Sequence, residues 1–116
     1  MIHTIKNSKL GNLRFTCSNG YNVSIGIGPT HYCDNHRWGG TEAMFEVGSK
    51  DTATTTMEVA IMDDNHNFVV LPYDVVGYVS VSHLPGIIEA VQCKDWSRVC
   101  LLCGTDDAHL VDVILP

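Results

Sequence analysis

The sequence predicts an α+β fold, in which an antiparallel β-sheet built from hairpins is covered by one α-helix in the C-terminal half of the chain. Two observations predict this class. Apolar and polar residues alternate on both sides of Asn19-Gly20, and apolar residues recur at helical spacing within residues 84–92. A chain of 116 residues has the usual size of one domain. We therefore expect residues 1–116 to form a single α+β domain.

The first hairpin is the strongest local prediction. Residues 13–17 and residues 21–25 each alternate apolar and polar side chains, and Asn19-Gly20 lies between them. Asn-Gly suits the two positive φ values of a type I′ turn, and the alternation sets the register. One face is expected to carry the apolar members of both strands, which are Leu13, Phe15, Cys17, Tyr21, Val23 and Ile25.

Short β-favouring runs predict the rest of the sheet. A turn-rich spacer at residues 63–67 predicts a second hairpin, and residues 104–107 predict a third. Residues 48–56 are rich in Thr and Ser and predict a flexible loop. The strands expected outside the first hairpin are residues 1–5, 55–61, 68–71, 99–102 and 110–115.

The predicted helix spans residues 84–92. Ser82 is positioned to cap it, and Pro85 falls in the first turn, where its missing N–H does no harm. Ile87, Ile88 and Val91 share one face, which we expect to cover the sheet.

Charge and composition exclude several classes of partner. The net charge is −6, and residues 58–116 carry nine Asp or Glu against two Lys or Arg. Duplex nucleic acid is not expected as a ligand, because binding it needs a basic surface. No apolar run approaches the ~20 residues that span a bilayer, so no membrane association is expected. An odd number of cysteines, five, indicates free thiols in a reducing compartment.

The polar stretch at residues 30–40 is dense in aromatic, imidazole and charged side chains and predicts a recognition loop at the end of the first hairpin. One interpretation is structural, with Tyr32 and Cys33 anchoring the loop inward while its polar residues face water. The other is contact with a ligand or partner. The candidate binding residues are Tyr21, His31, Tyr32, Asp34, Asn35, Arg37 and Trp38.

Catalytic signatures are absent from the sequence. It contains no phosphate-binding loop, no Gly-x-Ser-x-Gly elbow and no His-Glu-x-x-His motif. His36 and Cys33 offer a base and a thiol, but no accompanying signature supports a nucleophilic pair. We predict no catalytic residue, no cofactor and no enzymatic activity.

A zinc-binding domain, with hydrolysis as its potential activity, is the alternative function. Cys100 and Cys103 have the spacing of half a zinc knuckle, and Cys93 and His109 are candidate further ligands. The other interpretation is that these thiols are small buried side chains. If residues 99–102 form a strand, Cys100 and Cys103 point to opposite faces and cannot share an ion.

Several short motifs resemble small uncharacterised proteins of tailed bacteriophages. The resemblance covers roughly residues 13–91, and residues 41–56 and 93–116 depart from the pattern. It rests on Phe15, Asn19-Gly20-Tyr21, Val23-Ser24, Gly28-Pro29, Tyr32-Cys33-Asp34-Asn35, Glu58-Val59-Ala60 and residues 74–79. The resemblance implies an accessory protein of the host cytoplasm that acts by binding.

The leading functional hypothesis combines the loop with this resemblance. We expect a phage accessory protein that interferes with host physiology or antiviral immunity, either by sequestering a small anionic or nucleotide signal or by binding a host protein. We also expect a homo-oligomer, and the small-ligand version predicts pockets between its subunits.

Overall fold

The computed structural model describes residues 5–7, 11–27, 32–34 and 52–105, and its secondary structure confirms the α+β class. The strands are β1 (Ile5–Asn7), β2 (Gly11–Thr16), β3 (Asn22–Ile27), β4 (Thr52–Thr54), β5 (Thr56–Met62) and β6 (Val75–Ser80). A 3-10 turn (Val81–His83) leads into α1 (Leu84–Gln92), and α2 (Trp96–Cys103) follows. The prediction of a single covering helix is therefore wrong, because the described residues contain two.

The main sheet has four strands in the order β2-β3-β5-β6, and all neighbours are antiparallel. β2 and β6 are its edges. β1 pairs with β4 in a separate two-stranded sheet. The prediction of a loop at residues 48–56 is therefore wrong for residues 52–54, which form β4 and pair with β1. Of the strand predicted at residues 1–5, only Ile5 lies within the described part of the chain.

The first hairpin is confirmed in register, with Leu13 opposite Ile25 and Phe15 opposite Val23. Its predicted turn type is wrong. Gly20 has a φ of 91° while Asn19 is not in the left-handed region, and a type I′ turn needs positive φ at both. The Gly20 N–H donates to the Cys17 carbonyl over 3.0 Å, which indicates a three-residue loop that ends in a left-handed glycine.

Asn19 has a different role, since its side chain joins the hairpin turn to the end of α1. Its Nδ2 donates to the carbonyl oxygens of Val91, over 2.9 Å, and Gln92, over 3.2 Å. The last carbonyls of a helix have no partner within the helix. The asparagine of the turn therefore supplies a partner for the Gln92 carbonyl and a second donor for the Val91 carbonyl, which also accepts from the Lys94 N–H over 3.1 Å.

The core lies between the main sheet and the two helices. Side chains at the odd-numbered positions of β3 and β5 are buried, as are those on one face of α1. These residues form one cluster, whose members without exposed surface include Val23, Ile25, Val59, Ile61, Ile87, Val91 and Val99. No helix among the described residues is long and apolar enough to cross a membrane.

The predicted helix is confirmed as α1, and Ile87 and Val91 lie fully buried while Ile88 is partly buried. The predicted cap is wrong. Ser82 lies inside the 3-10 turn, where its N–H donates to the Ser80 hydroxyl over 3.3 Å. The chain already turns before α1 begins, so the serine that caps this region lies two residues earlier.

The strand predicted at residues 99–102 is wrong, because these residues belong to α2. The Asp95 carboxylate caps the helix by accepting from the Arg98 N–H over 3.3 Å, and Gly104, with a φ of 73°, ends it. The third hairpin is therefore absent at residues 99–105, while residues 110–115 lie outside the described chain. The buried residues of α2 are Trp96, Val99, Cys100 and Cys103, which have the helical spacing i, i+3, i+4 and i+7.

The second hairpin is confirmed only in its first strand, β5. After the turn at residues 63–67, Phe68 makes a single bridge to Met62, and the strand that pairs with β5 along its length is β6. Residues 68–71 do not form the predicted strand. Val70 has a φ of 73°, which interrupts an extended conformation, and a β-branched residue rarely adopts it.

Candidate functional site

The described part of the predicted recognition loop, residues 32–34, is held at a β-bulge between β5 and β6. Met57 pairs with Val79 and Val59 with Val76, so the single residue Glu58 faces two residues of β6. One of the two is Tyr78, which has a φ of 57°. Its N–H donates to the Tyr32 carbonyl over 2.9 Å instead of to β5. The bulge therefore supplies a backbone donor to the loop.

Two further features fix Tyr32 at the bulge. Its N–H donates to Glu58 Oε2 over 3.0 Å. A Cβ atom at Gly77 would lie 2.5 Å from the Tyr32 Cβ and 3.1 Å from its carbonyl oxygen. Such distances are too short for carbon in van der Waals contact, so this close approach requires glycine at position 77.

Asp34 ties the same segment to the start of β5. Its Oδ2 accepts from the Thr55 N–H over 2.9 Å and from the Thr55 hydroxyl, and its Oδ1 accepts from the Thr56 hydroxyl over 2.7 Å. The Asp34 N–H donates to Thr56 Oγ1 over 2.8 Å. These hydrogen bonds, those from the Thr55 and Thr56 hydroxyls foremost, hold the pKa of Asp34 below its ordinary value.

We expect the hydrogen bonds between the Asp34 carboxylate and Thr55 and Thr56 to break only in acidic solution. Because the pKa of Asp34 is lower in the folded than in the unfolded protein, its stabilisation is fully present above the unfolded value of ~4 and is lost as the pH falls through the folded pKa. In NMR titrations the Thr55 amide signal should shift below about pH 4. The variant Asp34→Asn should lose this transition, and a wild-type Thr55 signal that stays constant would contradict the expectation.

Three residues of the predicted loop, Tyr32, Cys33 and Asp34, lie in the described part of the chain. Cys33 is buried, as the structural interpretation expects, and Asp34 is exposed. Tyr32 is 44% exposed, so the expectation that its side chain points inward is wrong, and its backbone is the anchor. The remaining loop candidates, His31, Asn35, Arg37 and Trp38, lie outside the described residues.

Tyr21 lies away from residues 32–34, the described part of the loop. Its ring packs edge-on against Trp96 with centroids 4.9 Å apart, and Lys94 Nζ lies 5.8 Å from its centroid. Its neighbour Asn22 pairs with Met62, four residues along β5 from Glu58. At ~3.3 Å per strand residue, the two places are about 13 Å apart. Tyr21 therefore belongs to the packing of the helices against the hairpin.

The face of the sheet opposite the helices carries a groove that the sequence analysis missed. Its volume is about 160 Å³. Arg14, Ser24, Ala60 and Val75 follow one another across the four strands in register. Small residues form the floor, and larger side chains form the sides. Ser24, Gly26 and Ala60 lie on the floor of the groove, and Arg14, Glu58 and Phe68 lie around it.

Exposed aromatic residues occur near both ends of this groove. Phe68 lines it and is 49% exposed, and Tyr78 is 52% exposed. Phe68 bridges Met62 near one end of the groove, whereas Glu58, four residues away on β5, lines the other end and accepts the hydrogen bond from the Tyr32 N–H, so the Tyr32 segment adjoins that other end. We call Tyr32, Phe68 and Tyr78 the aromatic rim. The small residues at alternate positions of β3 and β5 are the sequence signal that could have indicated the groove.

The cysteines give no support to the zinc hypothesis. Cys100 and Cys103 share a face of α2, contrary to the strand-based argument, but both are buried. Burial, together with the nearby Cys100, raises the pKa of Cys103 to about 12. Zinc binds the thiolate, which such burial disfavours. Within residues 5–7, 11–27, 32–34 and 52–105, no three His, Cys, Asp or Glu side chains gather to hold a metal, and His109 lies outside these ranges.

Cys93 should be the one thiol that reacts readily in the folded protein. It is exposed, whereas the four other cysteines are buried. We expect iodoacetamide to alkylate a single site quickly under native conditions and all five sites in denaturant, as read by mass spectrometry. Cys93→Ser should remove the fast phase. Rapid native labelling of Cys100 or Cys103 would contradict the buried position of α2.

The chain shows no match to known proteins in three comparisons: no family model, no curated protein and no solved structure matches it. The resemblance to tailed-bacteriophage proteins therefore stays a prediction from short motifs. The groove, the aromatic rim and the fixed loop segment are the features of the described chain that bear on its function.

Proposed function

We propose that this protein is a non-enzymatic binding protein of a tailed bacteriophage that acts in the host cytoplasm and interferes with host physiology or antiviral immunity by binding a host protein. The observation that carries the proposal is the aromatic rim beside a loop segment fixed by backbone hydrogen bonds. The phage origin and the host setting come from the motif resemblance and are part of the proposal.

The physical support is that the rim combines exposure with order. Aromatic side chains are enriched in protein interfaces, where they bury a large area at a small cost in conformational entropy. The backbone N–H and carbonyl of Tyr32 are both held by hydrogen bonds, and its side chain is 44% exposed. Such a surface suits recognition by contact.

A small anionic ligand, including a nucleotide, is the second candidate, and Arg14 favours it. Its guanidinium stands at the groove next to the hydroxyl-bearing Ser24. Arginine binds carboxylate and phosphate groups through paired N–H donors. In this version the groove would hold the ligand and the rim would cover its apolar part.

Purification from the lysate of a bacterial host, followed by native mass spectrometry, tests both candidates. A co-purified host protein that is lost in the double variant Tyr32→Ala/Phe68→Ala, but retained in Leu101→Ala, supports the first candidate. Leu101 is 74% exposed on α2, away from the rim. The hydrogen bonds that Tyr32 makes with Glu58 and Tyr78 use its backbone, so the double variant can keep them.

A bound small molecule that is lost in Arg14→Ala, but retained in the control Arg98→Ala, supports the second candidate instead. Arg98 lies on α2, on the other side of the sheet from the groove. A partner bound equally by the wild type and by the rim variant would overturn the first candidate. A wild-type protein that carries neither a partner nor a small molecule would overturn both.

A further inference from the structure

The outer edge of β2, on the side away from β3, has the features of an edge that can pair with a further strand. β2 is an edge of the main sheet, and in the described part of the chain no strand pairs with its free side. It has six residues, contains neither proline nor a bulge along its pairing with β3, and has one charged residue, Arg14. Natural edge strands commonly carry proline, a bulge or charged side chains, because an unprotected edge invites pairing with a second chain. Of these devices β2 has only the single charge.

The backbone groups on this edge can be assigned from the hairpin. The Cys17 N–H donates to the Tyr21 carbonyl over 2.8 Å, which makes this the closing hydrogen-bonded pair. Bonded and non-bonded pairs alternate along an antiparallel ladder, so Phe15 and Leu13 bond to β3. The N–H and carbonyl groups of Asn12, Arg14 and Thr16 therefore point away from the sheet.

The side chains at this edge are apolar on the face that bears the helices. Leu13 is 50% exposed and Phe15 is 36% exposed, although Ile25 and Val23 directly opposite them are fully buried. The two exposed side chains lie beside the core at a place where one more strand would cover them. Removing such apolar surface from water favours association.

We propose that two copies of this chain associate through β2, antiparallel about a two-fold axis at Leu13, to form a continuous eight-stranded sheet. In this register each Arg14 lies opposite the partner's Asn12, and each Phe15 lies opposite the partner's Gly11, where no side chain competes for space. A register centred on Arg14 would place two guanidinium groups opposite each other, which like-charge repulsion disfavours. The two-fold axis preserves the faces, so both pairs of helices lie on one side of the sheet and both grooves on the other.

This inference does not depend on the proposed function, because it rests on the edge of the sheet and not on the aromatic rim. It gives the expected homo-oligomer a definite interface. In this register Asn12 of one copy and Arg14 of the other form a hydrogen-bonded pair, and the two-fold axis makes two such pairs. Each pair exchanges two backbone hydrogen bonds, so the interface gains four.

A proline substitution on the outward side of β2 tests the proposal. Arg14→Pro removes an N–H that is not used by β3, so it should leave the fold intact and abolish the dimer. Arg14→Ala removes the same charge but keeps the N–H, and it should remain dimeric. In light scattering after size exclusion we expect the wild type and Arg14→Ala to have twice the molar mass of the 12.7 kDa chain. Arg14→Pro should have the molar mass of a single chain. A monomeric wild type, or a folded dimeric Arg14→Pro, would overturn the proposal.

A cross-linking variant keeps the test decisive if Arg14→Pro does not fold. Leu13→Cys, made in a Cys93→Ser background, should give a covalent dimer with oxidised glutathione, because directly opposed non-bonded residues have Cα atoms ~4.5 Å apart, within the range of a disulfide. Phe15→Cys, opposite the partner's Gly11, serves as the control and should cross-link at least tenfold less. No covalent dimer from Leu13→Cys, or equal yields from the two variants, would overturn the proposed register.

Discussion

Replacing Trp96 with alanine is expected to lower the free energy of unfolding by about 3–5 kcal/mol, the usual cost of truncating a large buried aromatic residue. Trp96 is 5% exposed and packs edge-on against Tyr21, so it attaches α2 to the first hairpin. The variant leaves a cavity between these two elements. Urea unfolding followed by far-ultraviolet circular dichroism measures the change, and it does not depend on the fluorescence that the substitution removes.

Leu101→Ala is the matched control on the same helix. Leu101 is 74% exposed, and its replacement should change the free energy of unfolding by no more than about 0.5 kcal/mol. The comparison also tests the conformation of this segment. A strand would place Val99 and Leu101 on the same face, whereas α2 buries Val99 and exposes Leu101. Similar losses for Leu101→Ala and Trp96→Ala would therefore argue against the helix.

Gly77→Ala is expected to displace the loop segment from the bulge and to cost about 1–3 kcal/mol, as overpacking commonly does. The added Cβ would come within 2.5 Å of the Tyr32 Cβ, and β6 and Tyr32 would have to separate. The Tyr78 N–H would then lose its acceptor, the Tyr32 carbonyl. We expect faster hydrogen exchange at the Tyr78 amide together with the loss of stability.

Gly104→Ala provides a control with a different physical cause. No atom lies within 4 Å of a Cβ at Gly104, but its φ of 73° is strained for alanine. Its replacement should cost about 1 kcal/mol and leave exchange at the Tyr78 amide unchanged. If Gly77→Ala also left that exchange unchanged, the close approach of Tyr32 would not be the reason that position 77 requires glycine.

The parts of the fold that follow local rules were predictable from the sequence. Alternation on both sides of Asn19-Gly20 gave the register of β2 and β3, and the apolar spacing at residues 84–92 gave α1. The turn type was missed because the side chain of Asn19 has a tertiary partner, the end of α1. No local pattern reports a contact between residues so far apart in the chain.

α2 was missed although its signals are present in the sequence. Trp96, Val99, Cys100 and Cys103 have helical spacing, and Asp95 and Gly104 are suitable residues for the two ends. The prediction treated residues 99–102 as a short β-favouring run and so separated them from the helical spacing that begins at Trp96. Short apolar segments are where strand and helix are hardest to distinguish by composition.

The candidate site was predictable only in part. The burial of Cys33 followed from the usual behaviour of an unpaired cysteine. The role of Tyr32 did not follow, because it depends on a bulge in β6, whose identity as the partner strand of β5 was not predicted. The groove also depends on strand order, since Arg14, Ser24 and Ala60 meet only when β2, β3 and β5 are assembled in register.

The contact between Asn19 and the end of α1 links the beginning and the end of the folding unit. It joins residues 72 positions apart, so the hairpin turn and the end of the helix cannot separate without breaking both hydrogen bonds of the Asn19 amide. Native-state hydrogen exchange should therefore report β3 and α1 as one cooperative unit with a common opening free energy. The side-chain amide of Asn19 thus couples the opening of the hairpin turn to the opening of the helix end.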